Sequence, residues 1–385
     1  MDAAPLGPRL RELARVFLKL GVIGFGGPAA HIALMEDELV RRRQWLSREA
    51  FLDLVGAVNL IPGPNSTEVA IHIGRMRAGG AGLVVAGSAF ILPAFVIVAA
   101  IGWAYQRYGT LPEATALLHG VTAVVLAIVI QALVGLGRTA IKNVPLALAG
   151  AAALAAAMRW PLHEVAILGV AGLGAGAVVW WRRGARRTTA LSVSTAAWTI
   201  LTPPVLQAAT AATPVGLWPL FLVFAKAGSL LFGSGYVLLA FLRADLVERL
   251  GWLTNAQLLD AIAVGQITPG PVFTTATFIG YNLAGMTGAV VATVGIFLPA
   301  FVFVAVSAPL IPAIRRSPVT SAILDGVNVA SLALMAAVTV TLATQTLTDA
   351  TTVTLAVASA VLLVMFRINA TLLIAAGAAI GLLFR

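Results

Sequence analysis

The chain has 385 residues, 60% of them hydrophobic and only 10% charged, and a mean hydropathy of +0.97, a composition that excludes a soluble domain of this size. The apolar runs are continuous and rich in Ala, Leu, Val and Gly, which predicts an all-α polytopic membrane protein and not an outer-membrane barrel with alternating polarity. The formal charge of +10 sits mostly between apolar runs, as topology signals do, which argues against nucleic acid; the absence of cysteine excludes disulfides, a thiol nucleophile and thiolate-held metals.

The chain opens Met1-Asp2-Ala3-Ala4-Pro5 and continues through Arg9, Arg11, Arg15 and Lys19 without a clean apolar signal core, so insertion is expected to use the first internal spans. From Leu13 to Phe25 a short apolar helix reaches Gly24-Phe25-Gly26-Gly27-Pro28, where the chain is expected to break and restart through Glu36-Asp37-Glu38 to Arg41-Arg42-Arg43. Trp45 is placed for an interface, and Ser47 to N-cap a helix from Arg48 to about Leu60. The next stretch, Asn59-Leu60-Ile61-Pro62-Gly63-Pro64-Asn65-Ser66-Thr67-Glu68, is a corner: Gly63 permits a sharp turn, and a proline at a helix start forfeits no hydrogen bond. A second short helix runs on to Arg75 and Arg77. Each arm is shorter than the ~20 residues that cross a bilayer core, which predicts a re-entrant hairpin with Pro62-Gly63-Pro64 at its tip. The helix launched there presents free N–H groups and partial positive charge, suited to an anion. Further spans are expected at Leu83 to Tyr105, Leu117 to Gly137, Val144 to Met158 and Val165 to Trp181.

A basic linker, Arg182-Arg183-Gly184-Ala185-Arg186-Arg187, and a Thr/Pro stretch lead to about Pro214, after which the pattern begins again. Adding 207 carries Phe17, Lys19, Gly21, Phe25 and Gly26 onto Phe224, Lys226, Gly228, Phe232 and Gly233. The same offset carries Trp45, Asp53, Pro62, Gly63, Pro64 and Thr67 onto Trp252, Asp260, Pro269, Gly270, Pro271 and Thr274, and N-cap Ser47 onto Thr254. At 206, Gly74, Gly79, Gly82 and Pro93-Ala94-Phe95 fall on Gly280, Gly285, Gly288 and Pro299-Ala300-Phe301. The chain therefore divides into a first repeat (1–182), a linker (183–214) and a second repeat (215–385). Arg41 to Arg43, Arg75/Arg77, Arg138/Lys142 and the 182–187 cluster fit a cytoplasmic side, whereas in the second repeat Arg315-Arg316 fills the loop that was nearly bare in the first. The inverted bias predicts antiparallel halves, 5+5 spans, each with a re-entrant Pro-Gly-Pro hairpin, as in secondary transporters whose substrate lies at the repeat interface.

Phe25-Gly26-Gly27-Pro28-Ala29, the loop from Glu38 to Trp45-Leu46, Asn59-Leu60-Ile61-Pro62-Gly63-Pro64 and Leu92-Pro93-Ala94-Phe95 resemble the chromate ion transporter family in its long, two-domain form, over nearly the whole chain. The resemblance implies export of chromate, a sulfate-like oxyanion, across the bacterial inner membrane, driven by the membrane potential or a proton gradient. The second copy departs at Ser234-Gly235 against Gly27-Pro28, and at Val272-Phe273 against Asn65-Ser66, so contacts to substrate are expected to differ between halves.

Lys226 is the lone charge between Leu217 and Leu242, and a mid-span charge costs at least ~2.5–3.5 kcal/mol on insertion scales. It reads as a cation attracting a tetrahedral dianion together with its repeat mate Lys19, against snorkelling or a structural partner such as Asp260. Asn65, Ser66, Thr67, Thr274 and Thr275, with the backbone of Gly63 and Gly270, offer donors to an oxyanion; the competing role of the hydroxyls is N-capping or back-bonding to helix carbonyls. Asn59 and Gln266 precede the corners and are expected to bridge broken helix ends, while Pro62, Pro64, Pro269, Pro271, Gly26, Gly27 and Gly233 shape or gate them. Glu68 and His72 share a helix face and are candidates for proton coupling, against local pairing with each other or with Arg75. Asp53 and Asp260 are also candidates for that coupling, balance the two lysines in the empty state, or favour the helix start. The Gly clusters form no GxxxxGK[ST] phosphate loop, and His163-Glu164 lacks the second histidine of HExxH, so neither enzyme chemistry, a cofactor nor a metal is expected. The expected partners are chromate or a similar oxyanion, the lipid bilayer and a second copy as homodimer. The alternatives are a transporter of sulfate or another oxyanion, working inward, and an anion channel.

Overall fold

The computed structural model describes residues 5–25, 27–58, 61–109, 111–160, 163–182, 215–231, 237–307, 317–366 and 368–383, and all regular structure among them is helical. The chain runs through α1 (Leu6–Ile23), α2 (Gly27–Met35) continuing into a π-helical turn (Glu36–Arg42), α3 (Arg48–Val58), α4 (Asn65–Tyr108), α5 (Pro112–Ala140), α6 (Val144–Arg159) and α7 (Glu164–Arg182). The second half repeats this order as α8 (Leu217–Leu230), α9 (Leu238–Leu242) with its own π-turn (Arg243–Arg249), α10 (Asn255–Ile267), a 3₁₀ turn (Val272–Thr274), α11 (Thr275–Ser307), α12 (Pro318–Thr346), α13 (Ala350–Met365) and α14 (Ala370–Leu383). Ser47 and Thr254 cap α3 and α10 as the repeat demands: Ser47 Oγ accepts from the Ala50 N–H at 3.1 Å, and Thr254 forms a capping box with Gln257. The linker 183–214, Asn59, Leu60, Arg315 and Arg316 lie outside the described residues.

A straight helix of 44 residues, the length of α4, would extend about 66 Å, more than twice the ~30 Å hydrocarbon core. It is not straight. Ala78 (φ −145°, ψ 27°) and Gly79 (φ 60°, ψ −146°) leave helical geometry, and a Cβ on Gly82 would collide with the Gly74 carbonyl oxygen. Residues eight apart on one helix are about 12 Å apart, so the chain has turned back on itself. α11 does the same at Ala284 and Gly285, where a Cβ on Gly288 would collide with the Gly280 oxygen. Each of these helices is thus a short arm (65–77; 275–283) followed by a long one (80–108; 286–307), the long arm of α4 carrying the expected span from Leu83 to Tyr105.

Among the described residues, five helices are long and apolar enough to cross a membrane, namely Asn65–Tyr108, Pro112–Ala140, Glu164–Trp181, Val272–Val306 and Pro318–Thr346. Shorter apolar helices accompany them, and the chain is a multi-pass membrane protein. The outer side of α6 and α7 is apolar: Val144, Leu148, Val170 and Trp181 are exposed, as side chains facing lipid are.

Small residues bring backbones together within and between halves. A Cβ on Gly21 of α1 would lie 2.6 Å from the Phe90 oxygen of α4, and one on its repeat mate Gly228 would collide with the Ile296 oxygen of α11. Between halves, Gly326 of α12 meets the Ala171 oxygen of α7, and Gly120 of α5 meets the Gly377 oxygen of α14. With no water to expel, packing of this closeness supplies the attraction between helices. Gly228→Val is therefore expected to destabilise the protein by about 4 kcal/mol or more, read as loss of the monodisperse peak or of thermal stability in detergent. Gly135→Ala, where a Cβ meets nothing within 4 Å, is expected to stay within about 1 kcal/mol of wild type.

Candidate functional site

The two corners take up the backbone their sequences require, with Gly63 at φ +143° and Gly270 at φ +90°. Each is pinned to the opposite half. The Gly63 N–H donates to the Leu231 carbonyl at 2.7 Å, and the Gly270 N–H donates to the Gly24 carbonyl at 2.7 Å. The repeat offset of 207 carries Gly24 onto Leu231 and Gly63 onto Gly270, so the two bonds are one contact made twice. The acceptors are the carbonyls at which α1 and α8 break, groups left without an intrahelical partner. Each corner also rests on the Pro-Ala step of the other half's long arm. A Cβ on Gly63 would lie 3.5 Å from the Ala300 Cβ, and one on Gly270 would lie 2.7 Å from the Ala94 Cβ.

The corners differ in what they offer. At the first, α4 opens on Asn65 with Pro64 at the N-cap and no side-chain cap. Ser66 Oγ lies 3.2 Å from Nδ1 of buried His31, whose Nε2 is 2.9 Å from the Gly24 oxygen. Thr67 Oγ1, both carboxyl oxygens of Glu68 and His72 Nε2 are buried without a hydrogen-bond partner. The Glu68 carboxyl lies against the tip, its Oε1 2.5 Å from where a Gly63 Cβ would stand. The alternative of local pairing is not what forms, since Arg75 donates instead to the Val304 carbonyl of α11 at 2.6 Å. At the second corner, Thr274 and Thr275 turn their hydroxyls into their own turn, donating to the Pro271 and Val272 carbonyls at 2.8 Å each, and Phe273 is buried where the first half has Ser66. There the back-bonding role accounts for both hydroxyls. Gln266 is buried in the last turn of α10; Gly26, Asn59 and Gly233 lie outside the described residues, and Gly27 has φ +79°.

The expectation that Asp53 and Asp260 balance the two lysines is corrected. Lys19 Nζ is 2.7 Å from Glu38, which Arg43 also holds at 2.8 Å; Lys226 Nζ is 2.9 Å from Asp245, which Arg249 holds at 2.9 Å. Asp260 instead accepts from the Tyr105 hydroxyl of the other half at 2.7 Å, and Asp53 is exposed on α3. The reason is geometric: each carboxylate that reaches its lysine sits on the π-turn packed beside that lysine's helix. Sequence reasoning passed over Glu38 and Asp245, although the 207 offset carries one acid onto the other. His31 was also missed, because its counterpart is Leu238 and the repeat gives no second instance.

A profile described as chromate transporter matches residues 11–179 and 218–382. The chain belongs to the chromate transporter family. It is 36% identical over 376 residues to the chromate transport protein of Cupriavidus metallidurans, covering 96% of this chain and 92% of that one. It is 33% identical over 364 residues to the chromate transport protein of Pseudomonas aeruginosa, covering 90% and 84%. An uncharacterized transporter of Methanocaldococcus jannaschii is 25% identical over 342 residues, covering 86% and 84%. No solved structure matches. These relatives are named as transporters and not as enzymes, and the two matched regions fall within the two repeats.

Asp245→Asn in this transporter leaves Lys226 and Arg249 without their shared carboxylate. A loss of about 3–5 kcal/mol is expected for breaking so buried a pair, read by thermal unfolding in detergent. Asp37→Asn, which removes only the exposed pair with Arg42, is expected to change stability by less than about 1 kcal/mol.

Proposed function

We propose that the protein exports chromate, or a tetrahedral oxyanion of the same charge and shape, across the bacterial inner membrane as a secondary transporter. The observation that carries this reading is the set of buried, unpartnered polar atoms at the uncapped start of α4: Thr67 Oγ1 and the Glu68 carboxyl, beside a corner whose first N–H groups have no intrahelical acceptor. An anion without exchangeable protons needs donors only. Thr67, Ser66 and the main chain after Gly63 supply them, and Glu68 joins with its proton on, because a carboxylate facing a dianion would repel it. The first corner binds and the second, whose hydroxyls are committed to its own turn, gates.

Lys19 and Lys226 contribute the positive field, each neutralised by its carboxylate until the anion arrives. The halves are taken as antiparallel, 5+5 spans with the corners as tips of re-entrant hairpins; the inverted charge bias supports the orientation, and the reciprocal Gly63 and Gly270 bonds fit a two-fold relation between the halves. Assembly as a homodimer belongs to the same proposal, a second copy covering part of the apolar belt on α6 and α7. An interior potential of −100 mV drives a dianion outward by about 4.6 kcal/mol. If one proton leaves with it, about 2.3 kcal/mol of that is lost to the proton's charge and about 1.4 kcal/mol to each unit of pH gradient. With equal anion concentrations, export stays downhill for pH gradients below about 1.6 units.

In proteoliposomes with an imposed potassium diffusion potential, chromate is expected to move toward the positive side and to saturate. Thr67→Val and Lys226→Ala are each expected to lower the rate about tenfold, the loss of one charge-assisted donor. No chromate-dependent flux in either direction would sink the reading, and sulfate flux alone would reassign the substrate. For topology, the chain has no cysteine to mask. Gly80→Cys and Arg316→Cys are expected to react with an impermeant thiol reagent from the cytoplasm and Met286→Cys from outside; equal sidedness of Gly80 and Met286 refutes antiparallel halves.

A further inference from the structure

His31 bonds the start of the first corner's helix and the carbonyl on which the second corner rests. Its Nε2 meets the Gly24 oxygen, which also receives the Gly270 N–H of the second corner, and its Nδ1 meets Ser66 at the first. A carbonyl oxygen can only accept, so Nε2 carries a proton. In the neutral ring Nδ1 is then bare and accepts from the Ser66 hydroxyl. In that state the single hydroxyl proton of Ser66 is directed at His31 and is not offered to a ligand. If Nδ1 is protonated, the bond reverses: Nδ1–H donates to Ser66 Oγ, and the hydroxyl proton is released toward the start of α4.

We propose that His31 is the proton-linked switch of the oxyanion site: it takes up one proton as the anion binds, which turns the Ser66 hydroxyl toward the anion. The inference rests on the oxyanion reading of the first corner and adds to it the group that titrates. Burial explains why the two events are linked. His31 is 1% exposed, with the edge of the Phe90 ring against it, and a lone imidazolium there is costly. A dianion at the adjacent helix start removes that cost.

The charged groups on the packed elements fall into two sets. On the short arm of α4, Glu68 and His72 are buried beside the corner, while Arg75 donates to the Val304 carbonyl and Arg77 lies 3.5 Å from Glu12. On α1 and the π-turn, Lys19 and Glu38 are bonded to each other with Arg43 on the same carboxylate, and Glu12 also meets Arg43. Glu36 meets Arg41 and Arg48, Asp37 meets Arg42, and Arg9, Arg11 and Arg15 lie earlier on α1. Among the described residues, the titratable group that bonds Ser66 is His31. The long arm presents Phe90, and the second corner from Ile267 to Val272 contains no titratable residue. Because the Gly24 oxygen serves both His31 and Gly270, the charge on His31 also bears on the bond that holds the second corner, so binding at one tip is felt at the gate.

The test measures chromate affinity of the full chain in nanodiscs from pH 8 to pH 6 for wild type, His31→Gln and Ser66→Ala. Protonation of chromate itself is common to all three, so the difference between proteins isolates the switch. Wild type is expected to gain affinity by up to about tenfold per pH unit relative to either variant, the limit for one linked proton. The same pH slope in His31→Gln as in wild type would overturn the switch while leaving the oxyanion site standing; no chromate binding by wild type at any pH would overturn the oxyanion reading itself. A measurement that needs no variant is ¹⁵N NMR of the histidine-labelled wild type: chromate is expected to convert one of the four histidines to imidazolium, and histidine signals unchanged by chromate overturn the proposal.

Discussion

Two backbone hydrogen bonds, Gly63 to Leu231 and Gly270 to Gly24, tie the broken helix of each half to the corner of the other. In a membrane interior a break in a helix leaves carbonyls that nothing in the lipid can satisfy, so a broken helix is tolerable only where another part of the protein supplies donors. Here the break in each half is satisfied by the corner of the other. The Gly24 carbonyl receives the Gly270 N–H beside His31 of its own half, and the Leu231 carbonyl receives the Gly63 N–H, so each broken end is tied to the opposite half.

From this constraint follows the placement of much else. Each corner must approach a foreign backbone closely, so a glycine stands at its tip and an alanine, Ala94 or Ala300, stands where it lands. The long arms that carry those alanines must reach back past the short arms. The tight reversals at Gly79 and Gly285 and the glycine pairs Gly74–Gly82 and Gly280–Gly288 allow that return. The Lys–acid–Arg clusters lock each π-turn to its first helix and so set the position of the broken end that receives the corner.

Symmetry in the backbone coexists with asymmetry in the side chains. The first corner gathers His31, Ser66, Thr67 and Glu68, while the second sets Leu238, Phe273, Thr274 and Thr275 at the corresponding places. A duplicated scaffold has kept its shared hydrogen bonds and divided its labour, polar atoms on one tip and apolar packing on the other. Buried polar atoms without partners are rare in folded proteins, and among the described residues Thr67 Oγ1, both Glu68 carboxyl oxygens and His72 Nε2 gather behind the first corner.

The sequence by itself determined that the chain is helical and lives in a membrane, that it is duplicated, and that both copies turn at Pro-Gly-Pro corners. It also determined the family, because those properties are carried by runs of adjacent residues and by a fixed offset. Composition, helix caps such as Ser47 and Thr254, and turn glycines are local physics and can be read locally. Only the tertiary structure decided that each corner docks on the other half, that Lys19 and Lys226 pair with Glu38 and Asp245 and not with Asp53 and Asp260, and that His31 stands between the tips. Those pairings join residues far apart in the chain, and their selection depends on which surfaces become dry and which carbonyls remain unsatisfied once all the helices are in place, which no short window of sequence contains.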